Sequence, residues 1–265
     1  MREDESIKMI DLDKAEKEFI KYSEKFNLED SHLKRKQLHS LRVRDLSNQI
    51  AQKMKLSDEE IQIATLIGLL HDIARFEQFT QYGTFRDRES IDHGDLGVGI
   101  LKKDDYIKTY IEDEKYKDII YVAIKNHNKY KIEEGLNPKQ EMFCKIIRDA
   151  DKLDIFYEAI DIFYKEKEIE EINQSIVNNK VLSKIYEKKT INRNEFTERG
   201  KLIEVLVMLA FLFDMNYSAS FEIIYKQKYI NRIFQRFHFE NEETKHKMQQ
   251  IQEFLNQYVE EKIKG

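Results

Sequence analysis

The sequence predicts an all-α protein, and three observations carry that expectation. Apolar residues recur near a period of 3.6 in almost every segment, no run keeps the period-2 alternation of a half-buried strand, and 265 residues contain only 8 Gly and 1 Pro. That is too little turn material for a many-stranded architecture. A hydrophobic share of 41% over this length is enough for a sizeable core.

The periodicity places helices near residues 11–27, 31–54, 57–74, 92–103, 116–128, 139–165, 170–187, 197–214, 217–236 and 242–263. Ser57 followed by Glu60 has the spacing of a capping box, and Asn137-Pro138 puts proline where a helix can begin. The clearest turn is Glu-Gly-Leu-Asn-Pro at 134–138, and the longest break between helices holds YGTFRDR at 82–88. The most apolar run, LIEVLVMLAFLF at 202–213, is interrupted by Glu204 and falls far short of the roughly 20 residues needed to cross a bilayer. It reads as a buried core helix. The last helix carries a thin apolar stripe (Met248, Ile251, Phe254, Leu255, Val259) that could seat on the body or on a second subunit, making a homodimer one option.

Charge narrows the function classes. Lys+Arg 45 against Asp+Glu 50 leaves a net charge of -5, with no basic footprint for duplex nucleic acid or an anionic membrane. The single cysteine, Cys144, cannot form an internal disulfide and sits in an apolar helical segment. The charged start, MREDESIK, lacks the apolar region of a signal peptide. Together these lead to the expectation of a soluble cytoplasmic protein.

Of seven histidines, four (His39, His71, His93 and His127) fall on apolar helical stripes. His39 lines up with Val43, Leu46 and Ile50; His71 follows Ala64 and Gly68, whose missing side chain would let a neighbouring helix approach closely. His93 leads into Gly97 and Ile100, and His127 follows Ile120 and Ala123. Asp151 lies between Ile147 and Ile155 at steps of four. One inward histidine is ordinarily a core residue bonded to a carbonyl. Four, together with Asp72 and Asp151, would be costly to bury without compensation. A metal centre accounts for the whole set, because neutral imidazole and ionised carboxylate are what a divalent cation requires.

The order of these residues resembles the HD-domain superfamily of metal-dependent phosphohydrolases. LHSLRV around His39, GLLHDIARF around His71-Asp72 and RDADKLD around Asp151 look like its defining stations. His93 in DHGDLGVGIL and His127 in AIKNHNKY are similar to the extra histidines of members that hold two metals, the nearest likeness being to bacterial di-iron dinucleoside tetraphosphate hydrolases. RFEQFTQYGTFRDRESIDH, between stations, departs from those enzymes. The resemblance implies a metal-binding helical domain over 1–165, with its core at 32–160, and additional helices over 166–265 packed on it rather than an independent domain.

It also implies ligands: His39, His71, Asp72 and Asp151 for one ion, His93 and His127 for a second, with Asp72 bridging. Asp149 and Asp154 are rivals for the place of Asp151. Two divalent ions about 3.5–4 Å apart can acidify a shared water and clamp phosphate oxygens. Iron or manganese leads the expectation, and zinc, cobalt and nickel also suit these donors. Arg75 and Lys152, fixed beside ligands, are candidate phosphate partners, as are Arg86 and Arg88 in the long break. Tyr82 and Phe85 could stack on a base, and Glu77 could orient the attacking water. The function implied is hydrolysis of a phosphoester or phosphoanhydride bond in a small nucleotide-like substrate. Two rivals stand beside it: a di-iron oxygenase of the same fold, and a non-catalytic signalling or binding module.

Overall fold

The computed structural model describes residues 10–192 and 200–264, and among them there is no strand. The N-terminal MREDESIK and the first residues of the helix expected over 197–214 lie outside the described residues. The chain divides into two compact units, Met1–Asp151 and Lys152–Gly265.

The first unit opens with α1 (Leu12–Ser23), α2 (Ser31–Lys53) and α3 (Asp58–Leu70). The capping box expected at Ser57 is formed: its hydroxyl accepts from the Glu60 amide at 3.3 Å, and the Glu60 carboxylate accepts from the Ser57 amide at 3.1 Å. Helix α3 packs on α1, α2 and, later in the chain, α6. Every residue from Ile63 to Leu70 is buried, so both flanks of the helix are covered. Gly68 is needed here, since a Cβ would stand 2.6 Å from Ser47 Oγ and 2.8 Å from the Val43 carbonyl oxygen on α2.

The helix expected over 57–74 is broken after Leu70 by a turn at 71–74, and α4 (Arg75–Tyr82) follows. Gly83, with φ of 66°, closes α4 in the left-handed conformation that glycine adopts without penalty. The long break then begins, with one 3₁₀ turn at Asp87–Glu89. Helices α5 (His93–Lys102) and α6 (Lys117–Asn126) pack on each other. α7 (Pro138–Asp161) starts at its proline, and Asn137 Oδ1 accepts from the amides of Lys139 and Gln140, both at 3.0 Å. Its first part, through Asp151, belongs to this unit.

The second unit takes the end of α7 and adds α8 (Glu166–Gln174), α9 (Asn179–Tyr186), α10 (Lys201–Leu209), α11 (Ser218–Gln227), α12 (Tyr229–Phe234) and α13 (Glu242–Lys264). Two expected helices are divided. The one over 170–187 breaks at 175–178, and the one over 217–236 breaks at Lys228, whose φ of 53° ends the hydrogen-bond ladder. Leu202, Val205, Leu206 and Leu209 of α10 are buried, each removal of such a side chain from water contributing about 1.5–3 kcal/mol. No described helix is long and apolar enough to cross a membrane. The thin stripe of α13 is used within this unit: Met248, Ile251, Leu255 and Val259 are buried, and α13 packs on α9, α11 and α12.

Candidate metal centre

Two of the four inward histidines sit at helix C-termini, and each solves the same local problem there. The last turn of a helix leaves carbonyls without amide partners. His71 closes α3 with its Nδ1 2.8 Å from the Gly68 carbonyl oxygen, and His127 closes α6 with its Nδ1 2.6 Å from that of Ile124. A carbonyl can only accept, so in both rings Nδ1 carries the proton and Nε2 is a bare lone pair. The negative ends of two helix dipoles also meet here, an environment that favours a cation. Buried Arg148 on α7 fixes the end of α6 by donating to the carbonyls of Asn126 at 3.2 Å and Lys129.

His93, the first residue of α5, reaches the same state through a different partner. Its Nδ1 lies 2.7 Å from Asp87 Oδ2 and 2.8 Å from Oδ1, so in this ring too Nδ1 carries the proton and donates it in a hydrogen bond. The Nε2 atoms then face one another: His93 to His127 at 2.9 Å, and His39 on α2 to His71 at 3.2 Å. For His93 and His127 this brings two lone pairs together without a proton between them, a repulsive contact unless a cation sits beside both. Nitrogens bound about 2.1 Å from one ion at right angles stand about 3.0 Å apart. The spacing fits a shared ion.

Asp72 divides the histidines into pairs. Its Oδ1 lies 3.3 Å from His93 Nε2 and 3.5 Å from His127 Nε2. Its Oδ2 lies 3.5 Å from His39 Nε2 and 3.7 Å from His71 Nε2. Asp151 Oδ1 joins the second pair, 3.2 Å from His39 Nε2 and 3.9 Å from His71 Nε2. The groupings His39–His71–Asp151 and His71–Asp72–His127 each bring their donor atoms close enough to hold an ion. Asp151, with its side chain 24% exposed against at most 4% for the other five, is the side open to solvent.

Protonation states suit ligation. Burial pushes His71 down to about 3 and His93 down to about 4, so both rings are neutral near pH 7. Burial alone would raise the Asp72 carboxyl, but Lys36, His71 and Arg75 more than offset it and hold the group well below the usual carboxylate range. Asp151 is held down in the same way by His39 and His71.

The other expected site residues divide. Arg75 is at the centre, with Nε 3.3 Å from Asp72 Oδ1 and Nη1 bonded to Gln78 Oε1, the Phe85 carbonyl and Asp87 Oδ1. Glu77 is not brought to it. Two residues apart on a helix, Arg75 and Glu77 point to different sides; Glu77 takes the Tyr22 hydroxyl at 3.3 Å and lines a separate cavity of about 380 Å³. Lys152 forms its ion pair with Asp214 in the second unit, at 2.8 Å. Arg86 and Arg88 are exposed and pair with Glu89, and Tyr82 is exposed. Phe85 stacks on Phe79, with ring centroids 4.7 Å apart.

Two residues of the centre carry little signal in the sequence. Lys36 Nζ stands 2.7 Å from Asp72 Oδ2; its signal is a place one turn before His39 on the same face of α2. Asp87, which orients His93, also accepts from Gln78 Nε2 at 2.9 Å and Asn128 Nδ2 at 3.1 Å. It sits in the irregular loop, where no periodicity marks it.

Helix ends and faces that deliver four imidazoles and two carboxylates to one point define the class: an all-α protein with a donor set able to hold metal ions. Within it, residues 38–155 match the family model of the HD domain, a span that contains His39 through Asp151 and supports the HD superfamily. No curated protein and no solved structure matches the chain.

Proposed function

We propose that this protein is a metal-dependent phosphohydrolase acting on a phosphoester or phosphoanhydride bond of a small nucleotide-like substrate. The HD-domain match supports the reaction class. The observation that carries the reading is the division of Asp72, whose two oxygens face two different pairs of imidazole nitrogens. His39, His71, Asp151 and Asp72 Oδ2 would hold one ion; His93, His127 and Asp72 Oδ1 would hold the other. When bound, two such ions supply an acidified water and neutralise charge on phosphoryl oxygens.

The chain's own residues prepare that chemistry. The carbonyls of Gly68 and Ile124 and the carboxylate of Asp87 keep three histidine lone pairs aimed inward, which fixes both tautomer and ring orientation. Arg75 holds one side of Asp72 and ties it to the loop that carries Asp87. Asp151 is the partly exposed member of the set, so a substrate would approach from its side. The likeness to dinucleoside tetraphosphate hydrolases is the ground for expecting a nucleotide.

Elemental analysis of chelator-free protein, paired with phosphate release from a nucleotide panel, tests the reading. About two equivalents of a transition metal, lost together with phosphate release in His71→Ala/Asp72→Ala, is the expected result. Dioxygen uptake without phosphate release would replace the hydrolase by an oxygenase. Folded protein that refuses added manganese and iron would leave a binding module.

A further inference from the structure

Helix α2, and α4 with the turn leading into it, present two facing rows. His32, Lys36 and His39 lie at steps of four and three on one, and Asp72, Arg75 and Phe79 at steps of three and four along the other. The rows meet from the buried end outward: His39 Nε2 3.5 Å from Asp72 Oδ2, Lys36 Nζ 2.7 Å from the same oxygen, and the ring of His32 5.3 Å from that of Phe79. Asp72 therefore carries a cation on each oxygen, Lys36 on Oδ2 and Arg75 on Oδ1. Both side chains are 14% exposed, and the Phe85 ring lies 5.6 Å from Lys36 Nζ and 5.7 Å from Arg75 Cζ. One aromatic ring thus spaces two cations at the edge of the metal centre.

Both cations have donors to spare. Among the described residues, Asp72 Oδ2 is the one hydrogen-bond partner of the Lys36 ammonium, and Arg75 bonds through Nε and Nη1 and leaves Nη2 for a ligand. Lys36 shares its oxygen with the His39 and His71 pair, so a divalent ion bound there would repel the ammonium from Asp72. An anion is then the partner that restores its pairing. A phosphoryl group with two negative charges matches two cations; the single charge of a diester does not.

We propose that Lys36 and Arg75 form a paired clamp that selects a terminal, dianionic phosphoryl group over a diester, with Phe85 setting their spacing. This rests on the hydrolase reading and narrows it to substrates with a terminal phosphoryl group, which sets a dinucleoside tetraphosphate itself aside. An ion pair that only neutralises buried Asp72 makes the opposite prediction, because removing Lys36 would then cost metal binding or folding.

The test uses full-length wild type, Lys36→Met and Lys36→Arg, each loaded with manganese. Three quantities are read: metal content, binding of inorganic phosphate by equilibrium dialysis, and the ratio of kcat/KM for p-nitrophenyl phosphate to that for bis-p-nitrophenyl phosphate. The expected result is that Lys36→Met keeps its metal, binds phosphate at least about tenfold more weakly and loses a similar factor in that ratio, with Lys36→Arg in between. Lys36→Met that keeps wild-type phosphate binding, or that loses its metal, overturns the clamp, and so does a wild type that favours the diester. If the wild type hydrolyses neither ester, the hydrolase reading falls, and phosphate dialysis still decides the clamp.

Discussion

His93 and His127 aim their Nε2 atoms at each other across 2.9 Å, and each donates a hydrogen bond from Nδ1, His93 to Asp87 and His127 to the Ile124 carbonyl. Two lone pairs held that close could both bind one cation. His93→Ala and His127→Ala should each lower metal content from about two equivalents to about one, and His39→Ala should remove the other ion. Elemental analysis beside far-ultraviolet circular dichroism checks this, and the idea of two separable positions fails if any one of these variants loses both ions while still folded.

Asp87 is hydrogen-bonded to Nδ1 of His93, on the far side of the ring from Nε2, so it would act on the second position by orienting this ring. Replacing it by asparagine keeps the shape and removes the charge that orients His93. Metal affinity at the His93–His127 position should fall about 10–100-fold, with the other position unchanged. A competition titration with a chromogenic chelator resolves the two affinities, and equal weakening at both would show that the loop merely supports the fold.

Acid should destabilise chelator-treated protein well before the carboxylates titrate. In the unfolded chain His71 and His93 take up protons near pH 6.5, whereas in the folded chain they resist until about 3 and about 4. Between those limits the unfolded state holds more protons, so stability drops as pH falls. Asp72, Asp87 and Asp151 are also held below their ordinary value, so they too favour the folded state, but their contribution is lost only as pH falls below the ordinary carboxylate value of about 4. Urea midpoints measured from about pH 7.5 down to about pH 5 should decline steadily; a flat series would mean the two rings are not buried as neutral groups.

Gly68→Ala is expected to cost about 1–3 kcal/mol, because the added methyl meets the α2 backbone at Val43 and Arg44 as well as the Ser47 hydroxyl, and the backbone cannot move aside. Denaturant unfolding reads the loss. Since the same approach of α2 to α3 sets His39 against His71, metal affinity should fall as well; retention of both properties would show that the two helices can part without consequence.

Glu77→Gln should leave turnover and metal content at wild-type levels, since the carboxylate accepts from Tyr22 in a cavity of its own. A collapse in turnover with metal retained would restore it as a group acting on water.

Much of this was legible along the chain because it is written in local rules. Helix positions follow apolar phase, the start of α3 follows Ser57 and Glu60, and the start of α7 follows Asn137-Pro138. The metal-ligand candidates could be found because a polar group on an apolar stripe is costly, so each stood out within its own helix. Helix interruptions were harder: Lys228 takes a left-handed conformation that its side chain does not advertise, and α3 stops at Leu70 where the chain turns to deliver His71 and Asp72.

What the sequence by itself determined is therefore the helices, their buried faces and the residue types gathered on them. Tertiary structure alone decided which oxygen of Asp72 faces which imidazoles, that Lys36 meets an aspartate 36 residues away, and that Asp87 reaches His93 from an irregular loop. The reason is physical: periodicity fixes the direction of a side chain about its own helix axis, whereas a contact between two helices depends on how closely and at what angle they pack. At Gly68 that approach is set by the absence of a single Cβ.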